Sequence, residues 1–476
     1  MSDFYHGLLG LAYGSIHLLL QLAPESAAAG LQARIDLYVM LFTAEAAILS
    51  GILFGIAPAW QVGRLNPYEI LKSAGRSATA GRGRQHLRSG LVVGEAALAL
   101  VLLVGAGLFL RSFSRLQDVS PGFEPRGVMT AMLSLPQTQY GEAERRIGFY
   151  RALIERLEVL PGATSVGLGV PLPFTGNGSS ASFRVEGRQA GPGDPGPHGN
   201  VRWVTPGYFA AMGIPLKSGR GFSDADRTDT APVVVIDENL ARQYWPDQDA
   251  VGKHMRRGGD DTPWSTIVGV VGHITHSDLA TEEEKGTYYY SMFQAPPPFA
   301  GVVLRTQQEP ASFAGGIRGA VLAVDSGQPV DQLRTMPQMI GNSLAAQRLA
   351  TRLLGFFAAA ALFLAALGLY GVISYSVMQR TQEIGVRMAL GAQRGQVLSL
   401  VVRQGLKLAG VGVGLGVVLA VILSRAVEGQ LYGVTALDPL TFVSMAAILM
   451  GAAFLASYLP ARRATRVDPL QALRYE

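Results

Sequence analysis

Apolar residues gather along this chain in membrane-length runs separated by basic loops. A helix needs roughly 20 apolar residues to cross the hydrocarbon core of a bilayer. Four runs meet that need well: 37–60, with Glu45 inside it, 89–110, with Glu95 near its start, 353–378 and 439–461. Residues 408–427 make a fifth, with glycine at every second position from Gly410 to Gly416, and small residues let helices pack closely in lipid. A sixth, 6–22, is short and interrupted by His17. The pattern therefore predicts a membrane α-helical bundle of about five to six transmembrane helices.

The long block between the second and third runs has a different texture. Alternation at 128–135 predicts a strand, a polar-apolar helix follows over 142–160 and stops at Pro161-Gly162, and 165–170 is a second strand. The order strand, helix, strand returns at 302–305, 312–324 and 329–333. Two such units bracketing 171–300 predict a large α+β domain made of a base subdomain with a β-rich insert. Within the insert, Val233 to Ile236 and Ile267 to Val271 look like buried strands, and the proline- and glycine-rich run 187–199 is a loop.

Of 476 residues, 49% are hydrophobic and 16% charged, below the roughly 25% charge of an ordinary soluble chain. The deficit is confined to the apolar runs. The net charge of +5 sits largely in the loops, which favours an orientation signal over a nucleic-acid surface. The loop 61–88, the segment 379–407 and the tail are rich in arginine, so the positive-inside rule places them in the cytoplasm and the block 111–352 outside. Without cysteine there is neither a disulfide framework nor a thiolate metal site.

One segment is written twice. Residues 36–72 return without a gap at 438–474, each copy an apolar stretch followed by P-A-x-x-x-x-R-[LV]-[ND]-P-x-x-x-L-[KR]. Such a repeat points to a duplicated membrane protein.

Three motifs carry a resemblance to a known family. The run from Gln379 to Ala392, the closing pattern with Pro460, Arg466, Asp468 and Pro469, and the stretch 92–113 containing Glu95 and Gly105-Ala106-Gly107 resemble the MacB/FtsX type of ABC-transporter permease. The duplicated, two-half permeases of that type are the nearest likeness. The resemblance implies a multi-pass protein of the bacterial inner membrane with its large domain in the periplasm. It divides the chain into a remnant of a first FtsX-like half (1–75), a cytoplasmic linker (76–88), a transmembrane helix (89–112), a MacB-like periplasmic domain (113–350, insert about 171–300) and a C-terminal FtsX-like domain with three spans (351–476). The N-terminus resembles a fragment of a longer permease, its first half truncated.

At 380–390, Arg380, Glu383 and Arg387 recur at helical spacing while Ile384 and Met388 lie four apart. Spacing alone leaves two readings, an amphipathic helix facing a soluble partner or a solvated juxtamembrane loop. The resemblance implies the first: Arg380, Glu383, Ile384, Gly385, Arg387, Leu390 and Gly391 would receive an ABC ATPase subunit. The chain has no G-x-x-x-x-G-K-[ST] phosphate loop, so ATP hydrolysis is expected to belong to another polypeptide. A homo- or hetero-dimer of permease halves, a periplasmic adaptor and membrane lipid are the other partners implied.

The remaining chemistry is thin. Glu45 lies in mid-span, about 13 Å along the helix from Asp36, but its counterpart in the repeat is Ala447; drift or a neutral carboxyl is expected. His273 and His276 form an H-x-x-H with no third ligand indicated, and a solvated loop is expected. Asp224, Asp226 and Asp229 lack the glycine and terminal Glu of a calcium hand and are expected to form a turn before a strand. Tyr288 to Tyr290 is expected to be a strand. No catalytic constellation, cofactor site or metal site is predicted. The expected function is that of a non-catalytic permease subunit that couples ATP hydrolysis in trans to motion of its outer domain, for export or mechanotransmission. The rivals are a regulator of cell-envelope enzymes and an inactive truncated permease.

Overall fold

The computed structural model describes residues 80–465, apart from 177, 189–195, 259–261, 278, 280–284 and 391, together with helical positions 41, 45 and 48. The apolar run 6–22, most of 37–60, Gly391, Arg466, Asp468 and Pro469 lie outside the described residues. Glu45 is exposed. The chain divides into two compact units, 118–345 and the remainder.

Helix α1 (Ala80–Gln117) opens the membrane unit. The globular unit then follows in the order β1 (Val128–Ser134), α2 (Ala143–Glu158), β2 (Ala163–Val170), β3 (Ser180–Val185), β4 (His198–Val204), α3 (Tyr208–Met212), β5 (Leu216–Gly219), β6 (Val233–Asp237) and α4 (Glu238–Tyr244). It continues with β7 (His254–Arg257), β8 (Ser265–Val271), β9 (Thr287–Ser291), β10 (Phe299–Thr306), α5 (Ala314–Val324), β11 (Asp331–Thr335) and α6 (Met336–Ser343).

The strands β11-β1-β10-β2 are antiparallel neighbours, so each strand-helix-strand unit is split by a strand of the other. Helix α2 covers this part because Ile147, Tyr150, Leu153 and Leu157 fall on one face at three- and four-residue spacing. They share a core with Leu168, Val302, Leu304, Ile317 and Val321. Gly162, at φ +95°, lets the chain turn directly into β2.

Beyond β2 the pairings β4-β3-β7-β8-β6-β9 return to β4, because β4 and β9 are also parallel neighbours. The ring leaves no free edge along those strands. Its core holds Phe183, Val201, Val234, Ile236, Met255, Ile267 and Tyr288. All five residues of β6 are buried, and most of β8 is as well, so the uninterrupted apolar runs of these strands reflect burial of both their faces. Asp226 lies in the turn before β6; it accepts hydrogen bonds from Arg220 (2.8 and 2.9 Å) and the Ser223 backbone N–H (2.7 Å). Burial pushes its carboxyl up, but these bonds outweigh burial and hold it below the usual carboxylate range.

The H-x-x-H segment corrects the expectation of a solvated loop. After β8 the chain folds inward: His273 Nδ1 lies 2.6 Å from Asp237 Oδ2, and the Thr275 backbone N–H donates to the Pro121 carbonyl at 2.9 Å. The backbone N–H of Phe174 donates to the His276 carbonyl at 2.7 Å. His276 is 4% exposed, with Nε2 2.9 Å from Thr287 Oγ1. Long-range hydrogen bonds, invisible to local spacing, make this segment internal. Burial drives His276 well below the usual histidine value, with Arg202 and His273 pushing the same way.

A histidine kept neutral in the folded state costs nothing above about pH 6.5, but below it the unfolded chain binds the extra proton and folding weakens, by at most about 1.4 kcal/mol per pH unit. Thermal melts of the full chain in detergent are expected to show a lower Tm at pH 5.5 than at 7.5, with His276→Gln reducing the drop. Burial raises the Asp237 carboxyl, which acts in the opposite sense, but Asp237 is common to both proteins. Equal pH slopes for wild type and variant would refute the assignment.

Among the described residues four helices are long and apolar enough to cross a membrane: 88–117 of α1, α7 (Ala345–Gln379), α9 (Arg394–Ala426) and α10 (Pro439–Ala464). The short α8 (Thr381–Ala389) stands between α7 and α9. The helix that carries the apolar run from 408 begins well before it. Gln393 and Gln396 form a reciprocal cap, and α9 starts at Arg394. Val397, Val401, Val402 and Gly405 continue its buried face, while Arg403 and Lys407 point outward. At about 1.5 Å per residue this helix is roughly 50 Å long, more than a bilayer core, so its basic first turns extend past the apolar part.

Within the membrane unit, α9 packs on α1 through Gly412 and Gly416. A Cβ at Gly412 would stand 2.6 Å from the Ala96 Cβ, and one at Gly416 2.9 Å from the Ala97 carbonyl oxygen. Gly410 and Gly414 have open space. At the other end of α1, Arg111 pairs with Asp438, whose side chain accepts from the Thr441 backbone N–H (3.0 Å) and caps α10. Arg115 donates to the Gly433 carbonyl, and Ser112 accepts from the Tyr432 backbone N–H at 2.8 Å. The loop before α10 is thus pinned to α1.

Candidate functional site: the α7–α8–α9 corner

Helix α7 ends where Arg380 leaves helical geometry (φ −107°, ψ 14°). Thr381 Oγ1 turns back to donate to the carbonyls of Val377 and Met378, at 3.1 and 3.0 Å, occupying acceptors that a helix end leaves open. The chain then enters the nine residues of α8.

The two faces of α8 differ as its spacing predicts. Ile384, 8% exposed, packs with Val397 of α9 and Ala464 of α10, with Val377 and Met388 alongside. Gly385 is buried next to it. On the flank of that face Glu383 Oε1 accepts from Arg387 Nη2 at 2.5 Å, both side chains half exposed. Between them and the far side lie Val386 and Leu390, the latter 83% exposed. The solvated-loop alternative for 380–390 is therefore set aside: the segment is a helix held by one apolar face, presenting an ion pair beside unpartnered apolar side chains.

The structure brings Arg380, Glu383, Ile384, Gly385, Arg387 and Leu390 onto this one short element. Of the closing motif, Pro460 is buried within α10, one turn before the Ala464 that touches Ile384. Spacing alone does not show this neighbourhood. Nor does any local signal pair Arg463 with Tyr370, 93 positions apart, although Arg463 Nη1 donates to the Tyr370 hydroxyl at 2.8 Å. Among the described residues no group of three or more His, Asp or Glu side chains is placed to hold a metal. What the arrangement offers is an exposed ion pair beside exposed apolar side chains.

Two family models match the chain. One, described as the MacB-like periplasmic core domain, covers residues 89–335, and one described as the FtsX-like permease C-terminal covers 355–469. The macrolide export ATP-binding/permease protein MacB of Rhodospirillum rubrum is 27% identical over 443 residues, 86% of this chain and 60% of its own length. An uncharacterized ABC transporter permease of Bacillus subtilis, YknZ, is 27% identical over 285 residues, 58% of this chain and 70% of its own. The chain thus spans less than two thirds of the first of these. The periplasmic region of MacB from Actinobacillus actinomycetemcomitans aligns with 48% of the chain and 98% of its own, at 15% identity and a TM-score of 0.32. With a MacB-like core domain matched over half its length and an FtsX-like permease domain after it, the chain belongs to the MacB/FtsX-type family of ABC transporter permeases.

Proposed function

We propose that this chain is the membrane permease of an ABC system whose ATPase, lying outside these 476 residues, docks on α8. The observation that carries the proposal is the two-sided character of α8: Ile384 seats it on α9 and α10, while Glu383, Arg387, Val386 and Leu390 face outward. A partner that pushes on such an element moves the helix ends it is packed against. Nucleotide-driven movement of the ATPase would reach α7 through Arg380 and travel along its 35 residues toward the globular domain, for export or as a mechanical signal.

In this reading α8 lies in the cytoplasm of a bacterium and residues 113–350 lie outside the inner membrane, with the split strand-helix-strand layer as a base subdomain and β3 to β9 as its insert. The arginine-rich surroundings of α8, with Arg394, Arg403, Arg462 and Arg463 in adjoining helices, support that orientation. Pairing of two permease halves and an outer adaptor belong to the same proposal.

The test is co-purification in detergent with the ATPase subunits encoded beside the gene, comparing wild type with Glu383→Arg plus Arg387→Glu. The swap keeps an i,i+4 pair, so α8 itself is expected to persist. Loss of ATPase binding and of stimulated hydrolysis is expected. A folded, membrane-inserted wild type that binds none of them would overturn the docking assignment and favour an envelope regulator.

A further inference from the structure

Between the end of α7, α8 and the early turns of α9 lies a cavity of ≈ 100 Å³. Three of its lining side chains, Ser376, Arg380 and Gln404, have no hydrogen-bond or ion-pair partner among the described residues. Ser376 is only 8% exposed, and its hydroxyl, with no partner among the described residues, is free to bond to whatever enters the cavity. The other two charges on the wall, Glu383 and Arg387, offset each other in their ion pair. Arg380 remains as the uncompensated charge.

We infer that this cavity takes the phosphate of a membrane phospholipid headgroup. A guanidinium, a hydroxyl and a carboxamide N–H are donors on three side chains that line one small space, the set that phosphate oxygens accept from. The space has room for several waters or for one tetrahedral oxyanion. Arg380 is exposed and solvated, but a phosphate would give it a charge-assisted hydrogen bond that water does not. The apolar part of the wall, Ile373 and Leu400, is what selects lipid over free phosphate, since it offers cover to the glycerol and first methylenes of a chain anchored in the bilayer. The site rests on the reading of α8 as an inner-surface helix. A lipid held there would brace α8 against α7 and α9 beside the Glu383–Arg387 pair, which forms part of the same wall.

Native mass spectrometry of the full chain in detergent, with no ATPase present, tests the site independently of docking. The probes are phosphatidylglycerol, diacylglycerol with the same tails, and inorganic phosphate. Phosphatidylglycerol is expected to bind and diacylglycerol to bind about tenfold more weakly, the effect of losing a charged hydrogen-bonding partner. Arg380→Gln is expected to weaken phosphatidylglycerol by a similar factor, and Gln404→Leu, which keeps side-chain volume and helix propensity, by about threefold. Millimolar inorganic phosphate is expected to leave the lipid bound. Equal retention of the two lipids, or wild-type binding by both variants, would overturn the inference. Displacement by inorganic phosphate would reassign the cavity to a free anion.

Discussion

Gly412→Leu is expected to cost the membrane unit its packing, lowering Tm and the yield of folded protein, while Gly410→Leu, two residues away on the same helix, is expected to be tolerated. In lipid no hydrophobic driving force holds helices together, so close contact between backbones carries the association. Gly412 and Gly416 are where α9 meets α1 at backbone distance, against Ala96, the Val93 carbonyl oxygen at 3.0 Å and the Ala97 carbonyl oxygen. A leucine there must separate the helices or distort them. Overpacking of this kind costs about 1–3 kcal/mol where a core can adjust, and more where the obstacle is backbone. Gly416→Leu should behave like Gly412→Leu, and Gly414→Leu like Gly410→Leu, since no atom lies within 4 Å of a Cβ built at Gly410 or Gly414. The check is a thermal melt of the four purified variants in detergent. Four equal melting points would mean that α1 and α9 are not packed through this face.

This contrast also shows what could be read from residues alone. Alternate glycines from 410 to 416 announce close packing, but a spacing of two places them on two different helix faces. Only the neighbouring helix decides which pair is in contact. The spans at 353–378 and 439–461 were legible because hydropathy is a local property, and the described helices run somewhat past both. The start of α9 was not, because Arg394, Arg403 and Lys407 read as loop charge when their outward direction on a helix cannot be seen. His273 and His276 were misplaced for a similar reason: their burial depends on Asp237, Thr287 and Pro121, all distant in sequence. The parallel pairing of β4 with β9 that closes the ring of strands has no local signature either. At the candidate site the order is reversed. Ile384 and Met388, four apart, correctly mark the inner face of α8, whereas the exposure of Leu390 follows from which helices lie behind α8.

Leu390→Asp is expected to abolish ATPase binding while leaving the fold intact, and Ile384→Asp to do the opposite of leaving the fold intact. The two leucine-sized side chains sit on one helix six residues apart, one 83% exposed and the other 8%. An aspartate at Ile384 would give up the apolar contacts with Val397, Ala464 and Met388, a loss of about 2–5 kcal/mol that Arg380 and Arg387 on the adjoining cavity wall offset only in part. At Leu390 the carboxylate stays in water, and a surface change of this kind shifts stability by about 0.5 kcal/mol or less. Its effect on docking is another matter. An exposed leucine beside a charged pair has the form of an interface anchor, whose loss costs about 2 kcal/mol or more, some thirtyfold in affinity. The comparison also separates a protein partner from lipid. If Leu390 were sunk in the bilayer, Leu390→Asp would lower Tm in lipid nanodiscs; if it meets an ATPase, Tm holds and co-purification and stimulated hydrolysis are lost together. A Leu390→Asp protein that keeps both its melting point and its ATPase would show that α8 is docked, if at all, through the Glu383–Arg387 edge alone.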